Sequence, residues 1–587
     1  DNGIQMGGAG GMVMSPPIEL VAGEETQTED DTQGGDADND DEDNGDMTVD
    51  FGFVPEVTVG STVFTDNDND GTFEPQDGEN GIEGVEVELY DLGPDGVKGG
   101  GDDNLIATDV TDSDGNYFFE DLPEGEYYLK INTAEFGADE PLEGMISSDD
   151  VATTAGDNDT DNDDNGIEMG NLDDAGFMVM TDVFELEAGT EPGPNEEDGV
   201  GSTQDDDAEE NGDMTKDFGF YPGLSLGSTV FVDDEPGINP TDNDGIQNND
   251  EAGLSDVVVL LFDVGPDGIK DTPDDAEVEV GPDGLLGTGD DAPGGVLTDM
   301  NGDYFFGNLA PGSYFVKLPT SNFEMGGAGV DFPLSSEPTN ENDDQMDGDD
   351  NGIQMGGVGG MIMSPIIALS AGDEPTDEPS QGGDQDGQLA DGDLFDDNGD
   401  MTVDFGLIPA VSIGSTVFED NTPGINDTDN NGVLDPGEMG IADVEVEIFD
   451  VGPDGIKGTD DDELIVTGPD GIPGTDDDTD GPLVTDGDGN YFVSGLPEGT
   501  YYVKIQMDQF EDSGALADVP LSSPDNPGVS DVDQGASNVD NDDNGIQMGG
   551  AGGMVLSHNI ELVAGEATQA EGATQGGDAD DDDEDNG

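Results

Sequence analysis

The chain has 587 residues, with 148 acidic residues against seven lysines and one histidine, and no arginine, cysteine or tryptophan. Its net charge of −141 excludes nucleic acid as a partner, since phosphate binding needs a basic surface, and argues against anionic membranes; such a surface attracts cations. Without cysteine there are no disulfides or thiolate metal sites, and no run of about 18 apolar residues exists to span a membrane.

Asp1–Gly45 returns as Asp543–Gly587 with 37 of 45 positions identical, so the chain reads as a window that starts and stops inside a repeat of a longer periodic polypeptide. Gly-Ser-Thr-Val-Phe begins at Gly60, Gly227 and Gly414, and an Asp-Phe-Gly strand recurs at Asp50, Asp217 and Asp404. The expected organisation is the end of a preceding repeat over 1–56, then units at 57–221, 222–408 and 409–587, the last without its final strand. Period-two alternation and turn residues predict seven strands in the first unit: Val57–Phe64, Val85–Tyr90, Leu105–Thr108, Tyr117–Glu120, Tyr127–Ile131, Val179–Glu187 and Asp213–Phe220. Seven short strands per unit and no useful helical stripe define an all-β chain, a tandem array of β-sandwiches. The acidic stretches Glu24–Asp43 and Thr190–Glu210 read as long mobile loops between the last two strands. Short junctions carrying Pro55, Pro222 and Pro409 predict a stiff array. Units two and three are longer partly because a turn is doubled, as GPDGLLGTGDD (Gly281–Asp291) and GPDGIPGTDDD (Gly468–Asp478).

Three sets of carboxylates stand out. Asp427, Asp429, Asn431 and Glu438 fit the calcium-loop pattern D-x-[DN]-x-[DN]-G-x5-E, in which alternate residues supply oxygens, the Gly makes the sharp turn and the final Glu can bind through both oxygens. The first unit has Asp66, Asp68 and Asp70, closed by Asp77 or Glu79. The second has Asp242, Asp244 and Glu251, with Asp233 supplying the first ligand across an insertion; by the same logic Asp420 competes with Asp427. The second set follows a Gly-Pro-Asp-Gly turn: Asp91, Asp95, Asp102 and Asp103; Asp263, Asp267, Asp274 and Asp275; Asp450, Asp454, Asp461 and Asp462. The trailing Asp pair has no turn role and so favours metal ligation, with Asp112 and Asp114 completing the first copy unless they simply make a hairpin turn. The third set is Asp161, Asp163 and Asn165; Asp347, Asp349 and Asn351; Asp540, Asp542 and Asn544, each lacking a local closing Glu.

Six lysines fall at two equivalent places, Lys98, Lys270 and Lys457 after the turn and Lys130, Lys317 and Lys504 on a Tyr-x-x-Lys strand, where they read as ion pairs in an acidic field; the sharper alternative is a Lys–Asn isopeptide bond. The Met-Gly-Gly-x-Gly-Gly-Met segments (Met6–Met12, Met355–Met361, Met548–Met554) read as loops folded onto their own domain, or as contact patches between protomers of a filament.

In combination, GSTVFTDNDNDG, GIEGVEVELYD, TDSDGNYFFEDLPEGEYYLKI and DFGFYP resemble the B-repeat of serine-aspartate-repeat surface adhesins, related to the prealbumin-like B domains of collagen adhesins. The resemblance implies Ig-like, prealbumin-like sandwiches, secretion to the cell surface, calcium on Asp66, Asp68 and Asp70, and service as a stalk. The isopeptide bond of some collagen-adhesin relatives is expected to be absent, because the GSTVF strand has no Lys and the DFGF strand no Asn. The expected function is non-enzymatic: a calcium-stabilised extracellular stalk or filament subunit, whose partners are Ca²⁺ and copies of itself. The alternative is an adhesin in which these units are spacers. No His/Ser/Cys constellation accompanies the acids, which argues against hydrolysis.

Overall fold

The strand carrying Gly-Ser-Thr-Val-Phe is buried on both faces. In the computed structural model Val57–Thr65 has eight of its nine residues buried, apolar Val57, Val59 and Val63 among them and polar Ser61 and Thr62 as well. The structure describes residues 4–6, 12–21, 49–53, 55–138, 140–148, 162–192, 211–234, 243–248, 251–336, 348–372, 374–375, 398–421, 430, 432–453, 455–475, 477–478, 481–523 and 543–564. They gather into two compact units, Asp1–Gly223 with Gly287–Gly289, and Leu224–Leu286 with Asp290–Gly587.

In the first unit Val57–Thr65 pairs antiparallel with Asn116–Leu122 and parallel with Phe218–Pro222, in the register Val63 to Phe218; Phe218–Pro222 pairs in turn with Met145–Ser147. The facing sheet runs Asn104–Val110, Glu86–Asp91, Gly125–Asn132, Met178–Met180, Ile167–Met169, with Phe184–Leu186 also on Gly125–Asn132. Alternation works as the sequence predicts: Val87 and Leu89 are buried while Glu86 is exposed. Between the sheets lie Phe119, Leu129, Phe177, Phe184, Phe218 and Phe220, each stabilising the fold by roughly 1.5–3 kcal/mol through burial.

The second unit repeats this plan. Leu224–Val232 pairs with Asp303–Leu309 and, in parallel, with Phe405–Ile408, over a core that includes Phe306, Val316 and Phe405. A two-residue link, Pro409-Ala410, leads to Val411–Thr416, which pairs with Asn490–Leu496; the sheet facing it centres on Gly499–Ile505. The all-β sandwich expectation holds, and the repeat limits at 56, 221 and 408 stand as proposed boundaries.

Three details differ from the predicted strands. Val179–Glu187 is two strands, Met178–Met180 and Phe184–Leu186, because the Thr181 side chain replaces a ladder bond: its Oγ1 accepts from the Leu129 N–H at 3.0 Å. Ser364 and Ser557 do the same for Val316 and Val503, at 2.9 and 2.8 Å. Asp213–Phe220 is likewise split, into Gly212–Asp213 and Phe218–Pro222. Met145–Ser147 and Ile167–Met169 are additional strands, too short to show a period. Glu24–Asp43, and Thr190–Glu210 beyond residue 192, lie outside the described residues.

Candidate metal centre

The first two sandwiches open their first loop at the end of the buried strand, and the third opens it after the partly buried Phe418–Glu419. Asp66, directly after Thr65, is itself fully buried; its Oδ1 accepts from the Asp70 N–H at 3.2 Å and its Oδ2 from the Gly71 N–H at 2.8 Å. Between them Asn69 takes a left-handed φ of 54°, a conformation Asn tolerates. Glu79 closes the loop, accepting from Asn67 N–H at 3.0 Å and from Glu74 N–H at 2.5 Å. Carboxylate oxygens of Asp66, Asp68 and Glu79 all come within 4.8 Å of one another. Burial, then the neighbouring Asp70 and Asp66, pushes the Asp68 carboxyl up; burial does the same to Glu79, with Asp66 and Asp68 adding to it. Glu79 therefore takes the closing place that Asp77 competed for; the Asp77 side chain lies outside the described residues.

The second and third sandwiches build the same loop across insertions. Asp233 Oδ2 accepts from Gly245 N–H at 2.8 Å, and Asp420 Oδ2 from Gly432 N–H at 2.8 Å, as Asp66 does from Gly71. Asn243 and Asn430 repeat the left-handed φ, at 53° and 58°. Glu251 and Glu438 repeat the Glu79 bonds by accepting from Asn248 N–H at 2.6 Å and Asp435 N–H at 2.8 Å. The bond that Asp66 makes to its turn glycine thus falls to Asp420, the competitor that the sequence named beside Asp427. Asp242, Asp427, Asp429 and Asn431 lie outside the described residues, while Asp244 sits at the place of Asp70.

The oxygens fit a hard cation. Glu251 Oε1 is buried and accepts no hydrogen bond, and burial lifts this carboxyl to about 7, with Asp233 and Asp244 adding to the effect. In the first loop, where the oxygens of Asp66, Asp68 and Glu79 converge, such an acid-only set matches what Ca²⁺ coordinates.

In the second set the trailing Asp pair does hold the turn, contrary to the sequence reading. Asp102 Oδ2 accepts from Asp95 N–H at 3.3 Å, Asp274 Oδ2 from Asp267 N–H at 3.3 Å, and Asp275 from Gly265 and Thr272 N–H at 2.9 and 2.8 Å. Asp91 and Asp450 cap the start of the turn, from Gly93 and Gly452 N–H at 3.0 and 2.7 Å. Asp263 is exposed at its strand end, its carboxyl pushed up by desolvation and by Asp275. Asp95, Asp102 and Asp103 bring oxygens within 4.8 Å of one another, and Asp103 Oδ1 is buried without a hydrogen bond. In the other copies a threonine hydroxyl stands where the first has Gly100: Thr272 donates to Asp274 at 2.8 Å and Thr459 to Asp461 at 2.5 Å. Asp462 takes the phenol of Tyr502, at 2.7 Å; Asp454 lies outside the described residues. Asp112 makes a plain hairpin turn, accepting from Asp114 and Asn116 N–H at 2.9 and 3.0 Å.

The third set docks on the first loop. Asp163 bridges to Thr72 and Asp349 to Ile246, while Asn165 and Asn351 turn their Oδ1 to the N–H of Asp217 and Asp404, both at 2.9 Å. These asparagines cap backbone through those oxygens. Asn544 is exposed; Asp161, Asp347, Asp540 and Asp542 lie outside the described residues.

Sequence reasoning missed a group of buried acids beside these loops. Asp217 Oδ1 accepts from Ser61 Oγ at 2.6 Å and Thr62 N–H at 3.1 Å, and its Oδ2 from Asn162 N–H at 3.0 Å. Asp404 repeats this with Ser228, Thr229 and Gly348 at 2.7, 3.1 and 2.8 Å. Asp164 and Asp350, fully buried, accept from Gly166 and Gly352 N–H at 2.9 and 2.8 Å, and burial lifts Asp350 to about 7. The Ser-Thr of one recurring motif and the Asp of the other were the available signal.

The lysines are only partly surface ion pairs. Lys130, Lys317 and Lys504 pair with Glu88, Asp271 and Glu447 at 3.2, 2.9 and 3.3 Å. Lys98 pairs with Asp182 at 3.2 Å and also donates to the Thr181 carbonyl at 2.9 Å, while Lys270 and Lys457 donate to those of Ser364 and Ser557, pinning the strand break. The seventh, Lys216, is buried against Asp213 at 2.9 Å.

Residues 57–177 match the family model of the SdrD B-like domain. The chain is 26% identical over 423 residues to serine-aspartate repeat-containing protein F of Staphylococcus epidermidis, covering 71% of this chain and 16% of that protein. It is 25% identical over 464 residues to serine-aspartate repeat-containing protein D of Staphylococcus aureus (strain Newman), covering 78% and 23%. The chain therefore spans less than a quarter of the length of these relatives. Among solved structures, a streptococcal ancillary pilin aligns with a TM-score of 0.19 at 10% identity, over 76% of this chain and 89% of that one. The resemblance to B-type repeats thus holds: the chain carries an SdrD B-like domain, and it stands with bacterial cell-surface repeat proteins and not with enzymes. Among the described residues no helix is long and apolar enough to cross a membrane.

Proposed function

We propose that the chain is a calcium-stabilised, rigid stalk or filament segment of a bacterial surface protein. The observation that carries this reading is the threefold loop in which a strand-end Asp (Asp66, Asp233, Asp420) and a closing Glu (Glu79, Glu251, Glu438) hold the same backbone amides. Asp68 would complete the oxygen set of the first loop, and Asp244, at the place of Asp70, would add its charge to that of the second. A bound cation supplies positive charge that offsets the repulsion of these carboxylates, and its binding free energy adds to folding because the unfolded chain has no preformed site. The chain's own residues do the rest: the buried strand end fixes the first Asp, the left-handed Asn turns the loop, and the Glu ties its far end. Extracellular calcium in the millimolar range saturates even sites of 10⁻⁴–10⁻³ M. Copies of the chain itself are the proposed partners in a periodic array.

Calcium titration by calorimetry on the full chain tests the assignment. The triple variant Glu79→Gln, Glu251→Gln, Glu438→Gln is expected to lose on the order of tenfold in affinity, since each site loses one formal charge. The pH dependence has a definite sign. A carboxyl raised by folding favours the metal-free fold at low pH and opposes it as pH rises toward about 7, the value for Glu251. Calcium needs the ionised form, so affinity should fall as pH drops from 7.5 to 5.5. An unchanged affinity in the triple variant, or none to begin with, defeats the proposal.

A further inference from the structure

The glycine-rich segments occur in one conformation but in two surroundings. In the second sandwich Ile353–Met355 pairs with Met361–Met363, and the tip between them has Gly356, Gly357 and Gly359 at φ 89°, 77° and 70°. In the third, Gly549, Gly550 and Gly552 repeat this at 92°, 89° and 77°. Both tips are tied to their own sandwich in the same way: Gly359 N–H donates to the Pro333 carbonyl at 2.8 Å and Gly552 N–H to that of Pro520 at 2.7 Å.

What lies against the two tips differs. Within the second unit, Gly357 is buried against the doubled turn of the third sandwich: a Cβ added there would lie 2.9 Å from the Pro473 carbonyl oxygen and 2.9 Å from Thr475 Cγ2. From the other side, a Cβ on Gly474 would lie 3.3 Å from Gly357 Cα, and one on Gly495 only 2.8 Å from Val358 Cβ. Three glycines are therefore needed for this approach, two on the receiving sandwich and one on the hairpin. The receiving turn is fixed in turn by Ser494 N–H donating to the Gly471 carbonyl at 3.1 Å. In the third sandwich Gly550 is exposed, and a Cβ added at Gly549 or Gly550 would meet nothing within 4 Å.

We propose that this hairpin and the second Gly-Pro-Asp-Gly turn are the two halves of a joint that locks one sandwich to the next, with the tip residue as its key. The docked tip carries Val358, whose branched side chain rests on Gly495; the third tip carries Ala551 at that place. The sequence follows the same rule. The Met6–Met12 segment, with Ala9, precedes the first sandwich, which has only the single turn Asp91–Asp103; the tip with Leu172 precedes the second sandwich, which has the doubled turn Gly281–Asp291. At the joint seen here a branched apolar tip goes with a doubled turn ahead, a pairing the sequence repeats with Leu172 and Gly281–Asp291, whereas Ala9 precedes a single turn. The joint needs no cation, and it goes beyond the calcium reading.

Hydrogen-exchange mass spectrometry on the full chain tests it, because the third hairpin is an internal control of equal conformation. Residues 355–361 are expected to exchange about tenfold more slowly than 548–554, in calcium and in chelator alike wherever the sandwiches stay folded. Val358→Asp should bring 355–361 to the rate of 548–554, and so should Gly474→Val, which alters only the receiving turn. Protection of Gly312–Leu318 and Gly499–Ile505 reports that both sandwiches remain folded in each variant. Equal exchange of the two hairpins in the unaltered chain overturns the joint, as does a slow 355–361 that neither variant accelerates. Failure of the calcium titration with these rates intact leaves it standing.

Discussion

Replacing Asp404 by Ala is expected to cost the second sandwich about 3 kcal/mol or more, because two buried donors and one part-buried donor lose their acceptor at roughly 1–3 kcal/mol each. Those donors are Ser228 Oγ, Thr229 N–H and Gly348 N–H. Two of them lie on the first strand of the sandwich and one beside the first loop, while Asp404 opens the last strand. One carboxylate thus ties the chain segments that meet only late in sequence, across 175 residues. For a domain of this size the loss lowers Tm by on the order of 10 °C. Differential scanning calorimetry of Asp404→Ala reads this directly, and a shift below 2 °C would show that the Asp of the Asp-Phe-Gly strand is a bystander. Asp404→Asn keeps the shape and some acceptor capacity, and should fall between.

Lys216→Met should be almost as damaging in the first sandwich. Lys216 and Asp213 are 3% and 1% exposed and 2.9 Å apart, so removing the ammonium leaves a carboxylate buried without its counter-charge. Breaking such a pair from one side costs about 3–5 kcal/mol. The second sandwich shows the alternative arrangement. There Val403 stands at the place of Lys216, and Asp400 is buried with Oδ2 accepting no hydrogen bond, held by the Thr402 N–H and hydroxyl at 3.0 and 2.6 Å. Burial pushes the Asp400 carboxyl up, so that sandwich accommodates the acid by favouring its protonated form. Chemical denaturation at pH 7 reads the effect: Lys216→Met destabilises the first transition by several kcal/mol, whereas equal stability with and without the lysine would mean that the buried pair contributes nothing.

The strands and their alternation were legible because burial on one face leaves a period of two, as Val87 and Leu89 show. The closing Glu was legible in the second and third loops from its spacing after the turn glycine, but in the first loop that spacing falls on Asp77, and Glu79 stood only as the alternative. Whether Asp420 or Asp427 makes the bond to the turn glycine stayed open in the sequence, since a pattern counts residues along the chain and not from the strand end, where Asp420 makes it. Burial was the other hidden quantity. Asp164, Asp217 and Lys216 look in sequence like members of a solvated acidic field, and only the second layer over the Gly-Ser-Thr-Val-Phe strand takes them out of water. The turn role of Asp102 and Asp274 was hidden too, because a carboxylate seven residues from its donor leaves no local periodicity.

The central claim is that cations hold these loops together. A thermal melt followed by circular dichroism, in excess Ca²⁺ and again after chelation at matched ionic strength, tests it most directly. The account predicts a large loss of melting temperature or β-signal on chelation, restored by Ca²⁺ and not by NaCl of equal strength. A melt that is unchanged by chelation would contradict it, and would leave a self-sufficient β-array whose acidity serves solubility alone.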